Sequence, residues 1–335
     1  MSPDARPEIA FGPVPSRRLG RSLGVNNIPP KLCTYSCVYC QLGPTQRTTV
    51  KRLPLRAPQE VFEAVARSVR RAHDAAEPID YITFVADGEP TLDLRLGEAI
   101  DRLRPLGRRI AVITNASLLS RRPVRKALGR ADWVSVKVDA ADEVTWRVVN
   151  RPDRRLAFAE IVQGLEVFAA TYRGTLVTES LLVRDANDNR MHVERLARFV
   201  GSLRPAVAYL GVATRPPAAD WVRRPTEVAL HNAFCHFSRW VPHVELLIGY
   251  EGNAFASTGD PRADLLAIAA VHPVREDAAL ELLKRSDAGA DLLDRMVEEG
   301  ELVRLGHDEH TFYLRRFAPL LPRDPATPGA EPLAP

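Results

Sequence analysis

The sequence is poor in cysteine and has no long apolar run. Its 335 residues include four cysteines, which are too few and too unevenly placed to predict a disulfide framework. No apolar stretch approaches the roughly 18 residues of a membrane-spanning helix, and the first residues lack the apolar segment of a signal peptide. These absences predict a cytoplasmic globular protein with no membrane association.

Lysine is also scarce, because only five of the 46 basic residues are lysines. The net charge of +4 is unevenly divided: residues 1–257 have an excess of ten basic residues, and residues 258–317 have an excess of five acidic residues. A basic region would suit RNA, phosphates or other anionic substrates. A general bias toward arginine and alanine explains the same composition, so charge alone does not favour a nucleic-acid partner.

Three of the four cysteines lie in one short motif, Cys33-Thr-Tyr-Ser-Cys37-Val-Tyr-Cys40. Thiolates are soft ligands that suit zinc or iron–sulfur clusters, and a closed zinc site or an ordinary four-iron cluster takes four protein ligands. Cys235 is far away in sequence, and we expect it to be a buried thiol with no part in the site. Three cysteines alone would leave one iron open to a small molecule. A zinc knuckle completed by a distant histidine and a chance grouping are the alternatives.

Strand patterns alternate with helix patterns after this motif. The predicted strands are 22–28, 81–86, 109–115, 132–139, 175–183, 206–212 and 244–250, and the predicted helices are 58–73, 94–106, 122–129, 157–171, 189–203 and 227–241. Such alternation implies right-handed βαβ units around a parallel sheet. The sequence therefore predicts an α/β fold, a partial (β/α)6 TIM-like barrel over residues 1–257, with its chemistry at the carboxyl ends of the strands.

One predicted strand, 132–139, has a polar face. Ser135, Lys137 and Asp139 alternate with three valines, so the period of two places the polar groups on one side. If the valines pack against the outer helices, the polar row points into the barrel, where burial is costly without a partner or ligand. We expect a site on this face, although Lys137 and Asp139 pairing with each other is the simpler alternative.

Residues 258–317 predict a separate small domain. Helical stretches over 261–271, 275–285 and 288–299 precede a hairpin, which is the order of a winged helix. The third stretch is rich in Asp and Glu, which disfavours phosphate contacts, so a protein-facing or lid role is expected. The proline-rich tail, residues 318–335, is expected to be disordered.

The cysteine motif resembles that of the radical S-adenosylmethionine (SAM) enzymes, including the aromatic Tyr39 before its last cysteine. The segment Asp87-Gly88-Glu89-Pro90, after the first strand that follows the motif, resembles the family's GGE element, with Asp87 in place of the first glycine. Thr114-Asn115-Ala-Ser-Leu-Leu resembles the family's TNG-S-LL element at the end of the next strand.

This resemblance implies a [4Fe–4S] cluster held by Cys33, Cys37 and Cys40, with SAM at the open iron. The implied SAM contacts are Tyr39, Asp87, Gly88, Glu89, Asn115, Ser135, Asp139 and Glu179. Reductive cleavage of SAM would give a 5′-deoxyadenosyl radical that abstracts hydrogen from a substrate, which could be RNA, a peptide or a small molecule. Lys137 is the candidate catalytic residue, and a flavodoxin or ferredoxin is the implied electron donor.

Residues 12–25 and Arg215-Pro-Pro resemble a subgroup of radical SAM iron–sulfur oxidoreductases related to the wyosine-base tRNA synthases. This chain has no cysteine before Cys33, so it lacks the residues of those enzymes' second cluster, which argues against the same tRNA reaction. Arg17, Arg18 and Arg21 are expected near the cluster, either bound to an anionic ligand or in a solvated turn. The alternative function is an iron–sulfur sensor that acts through the winged helix.

Overall fold

One eight-stranded sheet runs through the chain up to residue 247, with its strands side by side in chain order. The computed structural model describes residues 8–247, 260–269, 274–307 and 309–316. The strands are β1 (Ala10–Ser16), β2 (Gly20–Val25), β3 (Tyr81–Phe84), β4 (Arg109–Thr114), β5 (Trp133–Lys137), β6 (Thr175–Leu182), β7 (Val207–Val212) and β8 (Val244–Leu247). The β1–β2 pair is antiparallel, and every later pair is parallel.

Helices fill each connection between the parallel strands. They are α1 (Pro58–Asp74), α2 (Leu96–Leu103), α3 (Arg122–Leu128), α4 (Glu143–Asn150), α5 (Phe158–Thr171), α6 (Arg190–Ser202) and α7 (Glu227–Ser238). The side chains of Asp142, Asn189 and Thr226 cap the amino ends of α4, α6 and α7, which satisfies backbone donors that have no partner within a helix. Among the described residues, no helix is both long enough and apolar enough to cross a membrane.

This order confirms the predicted α/β fold, a partial (β/α)6 TIM-like barrel. Two elements of the barrel were not predicted. Strand β1 contains Gly12, Pro13 and Pro15, residues that weaken a strand pattern, and it is tolerated because it lies at the edge of the sheet. Helix α4 is a short helix on which Val144 and Val148 are exposed, so its apolar periodicity is weak.

The two faces of the sheet have separate cores. Val134, Val136 and Val138 are buried in the large cluster that includes residues of the surrounding helices, as the alternation in β5 predicts. The inner face has a smaller apolar cluster, formed by Leu19, Ala111, Trp133, Val177 and Tyr209. Leu19 belongs to the turn between β1 and β2, so this turn closes the inner face at the amino ends of the parallel strands.

The C-terminal part has its own core. Its elements are α8 (Pro261–Ala269), β9 (Val274–Arg275), α9 (Glu276–Arg285), α10 (Asp291–Glu298), β10 (Leu302–His307) and β11 (His310–Arg315). The strands form an antiparallel sheet in the order β10-β11-β9. The short β9 was not predicted, and the winged-helix assignment stays a prediction. The boundary predicted at residue 257 and the tail 318–335 lie outside the described residues.

Helix α5 packs closely on the loop that follows β4. A Cβ atom added at Gly164 would overlap the backbone of Leu119 and Ser120. This close approach explains a glycine in the middle of a helix, where it otherwise costs about 1 kcal/mol relative to alanine. It also fixes the position of a loop that begins at Asn115.

We expect Gly164→Ala to lower the free energy of unfolding, because overpacking costs about 1–3 kcal/mol and outweighs the gain in helix propensity. Urea unfolding measures the change. Gly211→Ala is the matched control, since no heavy atom lies within 4 Å of an added Cβ there. Equal changes in both variants would contradict the packing explanation.

Candidate active site

The cysteine motif lies at the carboxyl ends of the parallel strands. It follows β2, and backbone hydrogen bonds fix it to α4 and to the loop after β7. Ser36 N donates to the Asn150 carbonyl at 3.1 Å, and Val38 N donates to the Val149 carbonyl at 2.9 Å, both at the end of α4. The Val38 carbonyl accepts from Ala219, in the loop after β7, at 2.9 Å. The motif is therefore held over the end of the barrel at which this fold places its chemistry.

Each of the three sulfur atoms has an N–H donor near it. Cys33 Sγ accepts from the Asn115 amide (3.6 Å), Cys37 Sγ from the Asn150 amide (3.4 Å) and Cys40 Sγ from the Lys31 ammonium group (3.6 Å). The three cysteines are free thiols of intermediate exposure. Donors of this kind stabilise negative charge on sulfur, so the surroundings suit thiolate ligands.

Burial favours the protonated thiols in the absence of a metal. It raises the pKa of Cys37 to about 12, helped by the negative charge of Asp139, and it raises the pKa of Cys33 still further. Metal binding would therefore have to displace protons from these groups.

Within the described residues, no three His, Cys, Asp or Glu side chains converge to hold a single metal ion.

The segment after β3 pairs with the residues just before the first cysteine. Lys31 N donates to the Asp87 carbonyl at 2.7 Å, and Glu89 N donates to the Leu32 carbonyl at 3.0 Å. A Cβ atom added at Gly88 would overlap the Leu32 carbonyl oxygen. Glycine is therefore required at position 88 by the close approach of two backbones.

Asp87 has a fully buried carboxylate with one unsatisfied oxygen. Its Oδ2 accepts from the Asn26 amide at 3.0 Å, whereas Oδ1 has no hydrogen-bond partner. Burial raises the pKa of Asp87 to about 7, despite the hydrogen bond from Asn26. A positively charged group beside Oδ1 would stabilise the ionised form.

Glu89 is fully buried and accepts four hydrogen bonds. Its Oε1 accepts from Thr91 N (3.1 Å), Thr91 Oγ1 (2.5 Å) and Thr114 Oγ1 (2.6 Å), and its Oε2 accepts from Asn115 N (2.8 Å). Burial still raises the pKa of Glu89. The side chain ties the end of β3 to the end of β4, a structural role that the sequence did not reveal.

Asn115 connects β4 to the cysteine motif. Besides its contact with Cys33, its amide donates to Thr34 Oγ1 at 2.7 Å, and its Oδ1 accepts from Ser117 N at 3.0 Å. The next residue, Ala116, has a φ of 64°, a conformation that favours glycine. This left-handed position corresponds to the glycine of the TNG element.

Lys137 points to the inner face and pairs with Glu179, not with Asp139. Its Nζ lies 3.0 Å from Glu179 Oε1 and 4.9 Å from the centre of the Tyr39 ring. Arg18, from the turn between β1 and β2, bonds the other oxygen of Glu179. Two cations thus share one carboxylate below the cysteine motif.

The charges of this group reinforce one another. Burial alone would raise the pKa of Glu179, but the positive charges of Arg18 and Lys137 lower it to about 2. Burial alone would lower the pKa of Lys137, but Glu179 and Asp139 outweigh it and raise this pKa. The Lys137 side chain is therefore an ammonium ion.

Asp139 joins the inner face to the cysteine motif. One oxygen accepts from the Tyr39 hydroxyl and from the Asn150 amide (2.7 Å), and the other accepts from Leu181 N at 2.8 Å. Ser135, on the same strand face, is fully buried and its Oγ has no hydrogen-bond partner. An unsatisfied hydroxyl on this face is what a ligand would satisfy.

The structure thus divides the predicted site residues into two neighbouring groups. Asp87, Gly88, Glu89 and Asn115 surround the first cysteine, and Tyr39, Ser135, Lys137, Asp139 and Glu179 belong to the inner face and its upper edge. Arg18 belongs to the second group, since it bonds Glu179. Arg21 pairs with Glu77, with 3.6 Å between Arg21 Nη2 and Glu77 Oε2. Asn26, Lys31 and Asn150 were missed, because each acts on a residue distant in sequence or in a loop without a recognisable pattern.

Cys235 was expected to be buried, and this is wrong. It is exposed on α7, where its Sγ lies 3.6 Å from His231 Nε2. The buried side of this helix is formed by Leu230, Ala233 and Phe237, and a helical turn of 3.6 residues places position 235 on the opposite side.

The model of the radical SAM superfamily matches residues 27–200, just over half of the chain and the whole of the two groups described above except Arg18 and Asn26. This chain belongs to the radical SAM superfamily. It is therefore an enzyme, and membership implies SAM and an iron–sulfur cluster as cofactors. The three free thiols and their N–H donors fit such a cluster.

Similar proteins extend the match beyond that region. A UPF0026 protein of Methanocaldococcus jannaschii is 40% identical over 311 residues, which cover 92% of this chain and 96% of that protein. A UPF0026 protein of Helicobacter pylori is 35% identical over 63% of this chain and 68% of its own length. A radical SAM methyltransferase from Sphaerobacter thermophilus superposes with a TM-score of 0.52 at 20% identity, over 68% of this chain and 66% of that chain, which shows a shared fold.

We expect Asp87→Asn to stabilise the protein at pH 8 by about 2–4 kcal/mol. A carboxyl with a higher pKa in the folded chain makes the folded state bind more protons between the two pKa values, so stability falls as pH rises from about 4 to about 7. The variant does not lose stability in this way, so the difference in free energy of unfolding between it and the parent protein should vanish near pH 4. Urea unfolding from pH 4 to 8 measures it, with the exposed Asp220→Asn as control. Parallel stability curves for Asp87→Asn and the parent protein would refute the shift.

We expect Gly88→Ala to lower both the free energy of unfolding and the iron bound after anaerobic reconstitution, because the added methyl group separates the two paired backbones. Overpacking of this kind costs about 1–3 kcal/mol. Gly306→Ala is the control, since an added Cβ there meets no atom within 4 Å. Normal iron content and stability in Gly88→Ala would show that the approach of Leu32 does not constrain the site.

Proposed function

We propose that this chain is a radical SAM enzyme that binds a [4Fe–4S] cluster through Cys33, Cys37 and Cys40 and abstracts hydrogen from a substrate on the inner face of the barrel. One observation carries the proposal: three free thiols, each with an N–H donor, lie directly above a polar inner face with unsatisfied groups. When bound, the cluster supplies the electron that cleaves SAM to the 5′-deoxyadenosyl radical.

Three protein ligands are supported by the position of the fourth cysteine. Cys235 lies on the exposed side of α7, whereas the other three follow β2 at the carboxyl ends of the strands. The set of ligands thus leaves one iron for a small molecule, which we assign to SAM.

We assign the residues after β3 and β4 to SAM. The unsatisfied Oδ1 of Asp87 is a buried acceptor that a SAM ammonium group would neutralise. The geometry gives Glu89 a second task, because its four donors hold Gly88 and Asn115 in place for the same ligand. Tyr39, Ser135, Asp139 and Glu179 remain proposed contacts on the inner face, among which Ser135 has the free hydroxyl.

Lys137 is the residue that we assign to the substrate. Its pairing with Glu179 and its raised pKa mean that it presents an ammonium group. An ammonium ion binds an anionic or carbonyl oxygen and is not a nucleophile. The proposed role of Lys137 is therefore to hold an oxygen of the substrate near the cysteine motif.

The sensor alternative has no support from the family match. The position of the cofactor residues over a closed inner face favours catalysis, because that face gives radical chemistry a site protected from water. RNA, peptides and small molecules are the substrate classes to compare. Cleavage of SAM measured with separate tRNA, peptide and metabolite fractions would distinguish them, since the true substrate should increase the rate.

We expect the reconstituted protein, reduced with dithionite under anaerobic conditions, to convert SAM to 5′-deoxyadenosine. Cys37→Ala should lose both the cluster and the product, because it removes one of three ligands. Cys235→Ala is the matched control and should retain both, since that thiol is exposed and remote from the motif. Chromatography of 5′-deoxyadenosine and iron analysis are the measurements. A fully loaded cluster that yields no 5′-deoxyadenosine would refute the proposed function.

A further inference from the structure

Four basic side chains are exposed beside the cysteine motif. They are Arg47, Lys51, Arg151 and Arg154, and we name this set the basic rim. Within the described part of the chain, none of the four makes a side-chain hydrogen bond or ion pair. Exposed arginines elsewhere commonly do, as in the pairs Arg147–Glu143 and Arg295–Asp291.

Backbone contacts show that both halves of the basic rim adjoin the motif. Thr49 N donates to the Cys33 carbonyl at 2.9 Å, and Asp153 N donates to the Thr34 carbonyl at 2.8 Å. Residues 47–51 and 151–154 therefore contact two consecutive residues of the motif, Cys33 and Thr34.

A further contact joins the two halves. Ser36 N donates to the Arg151 carbonyl at 3.1 Å, while Ser36 Oγ accepts from Thr45 N at 3.0 Å. Arg151 therefore contacts Ser36 directly. Arg47 lies two residues after Thr45, which also contacts Ser36. The basic rim is one surface and not two separate groups of charges.

Few acidic residues lie close in sequence to the basic rim. Residues 26–57 contain no Asp or Glu. Asp153, between Arg151 and Arg154, is buried and is bound by Arg155, with Nη2 to Oδ2 at 2.8 Å. Like charges held close together without counter-charges favour an anionic partner.

Two exposed apolar side chains belong to segments that adjoin the cysteine motif. Leu53 follows Lys51 and is 38% exposed, and Trp221, two residues after the Ala219 contact with the motif, is 44% exposed. Tryptophan and arginine are enriched where protein partners bind. A nucleic acid would instead require many phosphate contacts for comparable affinity, so four charges with an aliphatic neighbour favour a protein.

We propose that the basic rim is the docking surface of an acidic electron-donor protein. This inference rests on the proposed function, which needs an electron from outside the chain. A donor that carries flavin or iron–sulfur groups must bring its redox group close to the cysteine motif, and opposite charge would steer it there. The donor would lose one electron to a cluster held by the three cysteines, and no bond would form.

Assays with two kinds of reductant distinguish a defect in donor docking from a defect in the catalytic site. The full-length, cluster-loaded protein is assayed for 5′-deoxyadenosine with dithionite, then with an acidic bacterial flavodoxin and an acidic ferredoxin, each kept reduced by its reductase and NADPH. The variant Arg47→Glu/Lys51→Glu and the variant Arg151→Glu/Arg154→Glu change the basic rim. Arg67→Glu/Arg70→Glu, exposed on α1, makes the same change in charge elsewhere.

We expect both basic-rim variants to lose about tenfold or more of the donor-driven rate at low salt, with unchanged dithionite-driven rates, while the α1 variant keeps both. Unchanged donor-driven rates in the basic-rim variants, or a parent protein that accepts electrons from neither donor, would overturn the docking surface. Loss of total-tRNA binding in gel shifts without loss of donor-driven rate would assign the surface to RNA and also overturn it. Failure with dithionite in the parent protein would instead refute the proposed function.

Discussion

The main-chain pairing around Gly88 is the constraint on which the site depends. Lys31 and Leu32 bond Asp87 and Glu89 through backbone groups alone, and only a residue without Cβ permits the two segments to approach so closely. The cysteine motif is a loop and has no ladder of its own. Its position is fixed at one end by this pairing with the segment after β3. At the other end, backbone hydrogen bonds of Ser36 and Val38 fix it to α4 and to the loop after β7. Errors in any of these elements would therefore move the sulfur atoms.

Buried charge is arranged in two different ways around this constraint. Near β3 and β4, Glu89 accepts from neutral hydroxyl and amide donors only, and burial raises its pKa. On β5 and β6, Glu179 is paired with two cations, Lys137 and Arg18. On the inner face, these two cations match the two carboxylates of Glu179 and Asp139, so the group is close to neutral. The Asp87 oxygen that has no hydrogen-bond partner favours a cationic ligand group near β3.

Local patterns predicted the fold and the chemical residues but not their partners. Alternation over Ser135, Lys137 and Asp139 gave the correct face, and the strand–helix order gave the barrel. The partner of Lys137 could not be read from β5, because Glu179 faces it only through the parallel register of β5 and β6. Asn150 ends a helix with little periodicity, and Cys235 was misplaced because only the packing of α7 decides which side is buried. Contacts between residues distant in sequence are what such patterns omit.

Strand β1 links the site to the C-terminal part. Ala10 packs in the core of the barrel, Phe11 contacts Val85 and Ala267, and Val14 joins the cluster formed by α8 to β11. The irregular register between Phe11 and Val14 allows side chains of one strand to serve three cores. Val85 lies two residues before Asp87, so the Phe11 ring packs between α8 and the strand end that leads into the Asp87–Glu89 segment. The edge strand that the sequence concealed thus contacts both the acidic C-terminal part and the elements around the loop that we assign to SAM.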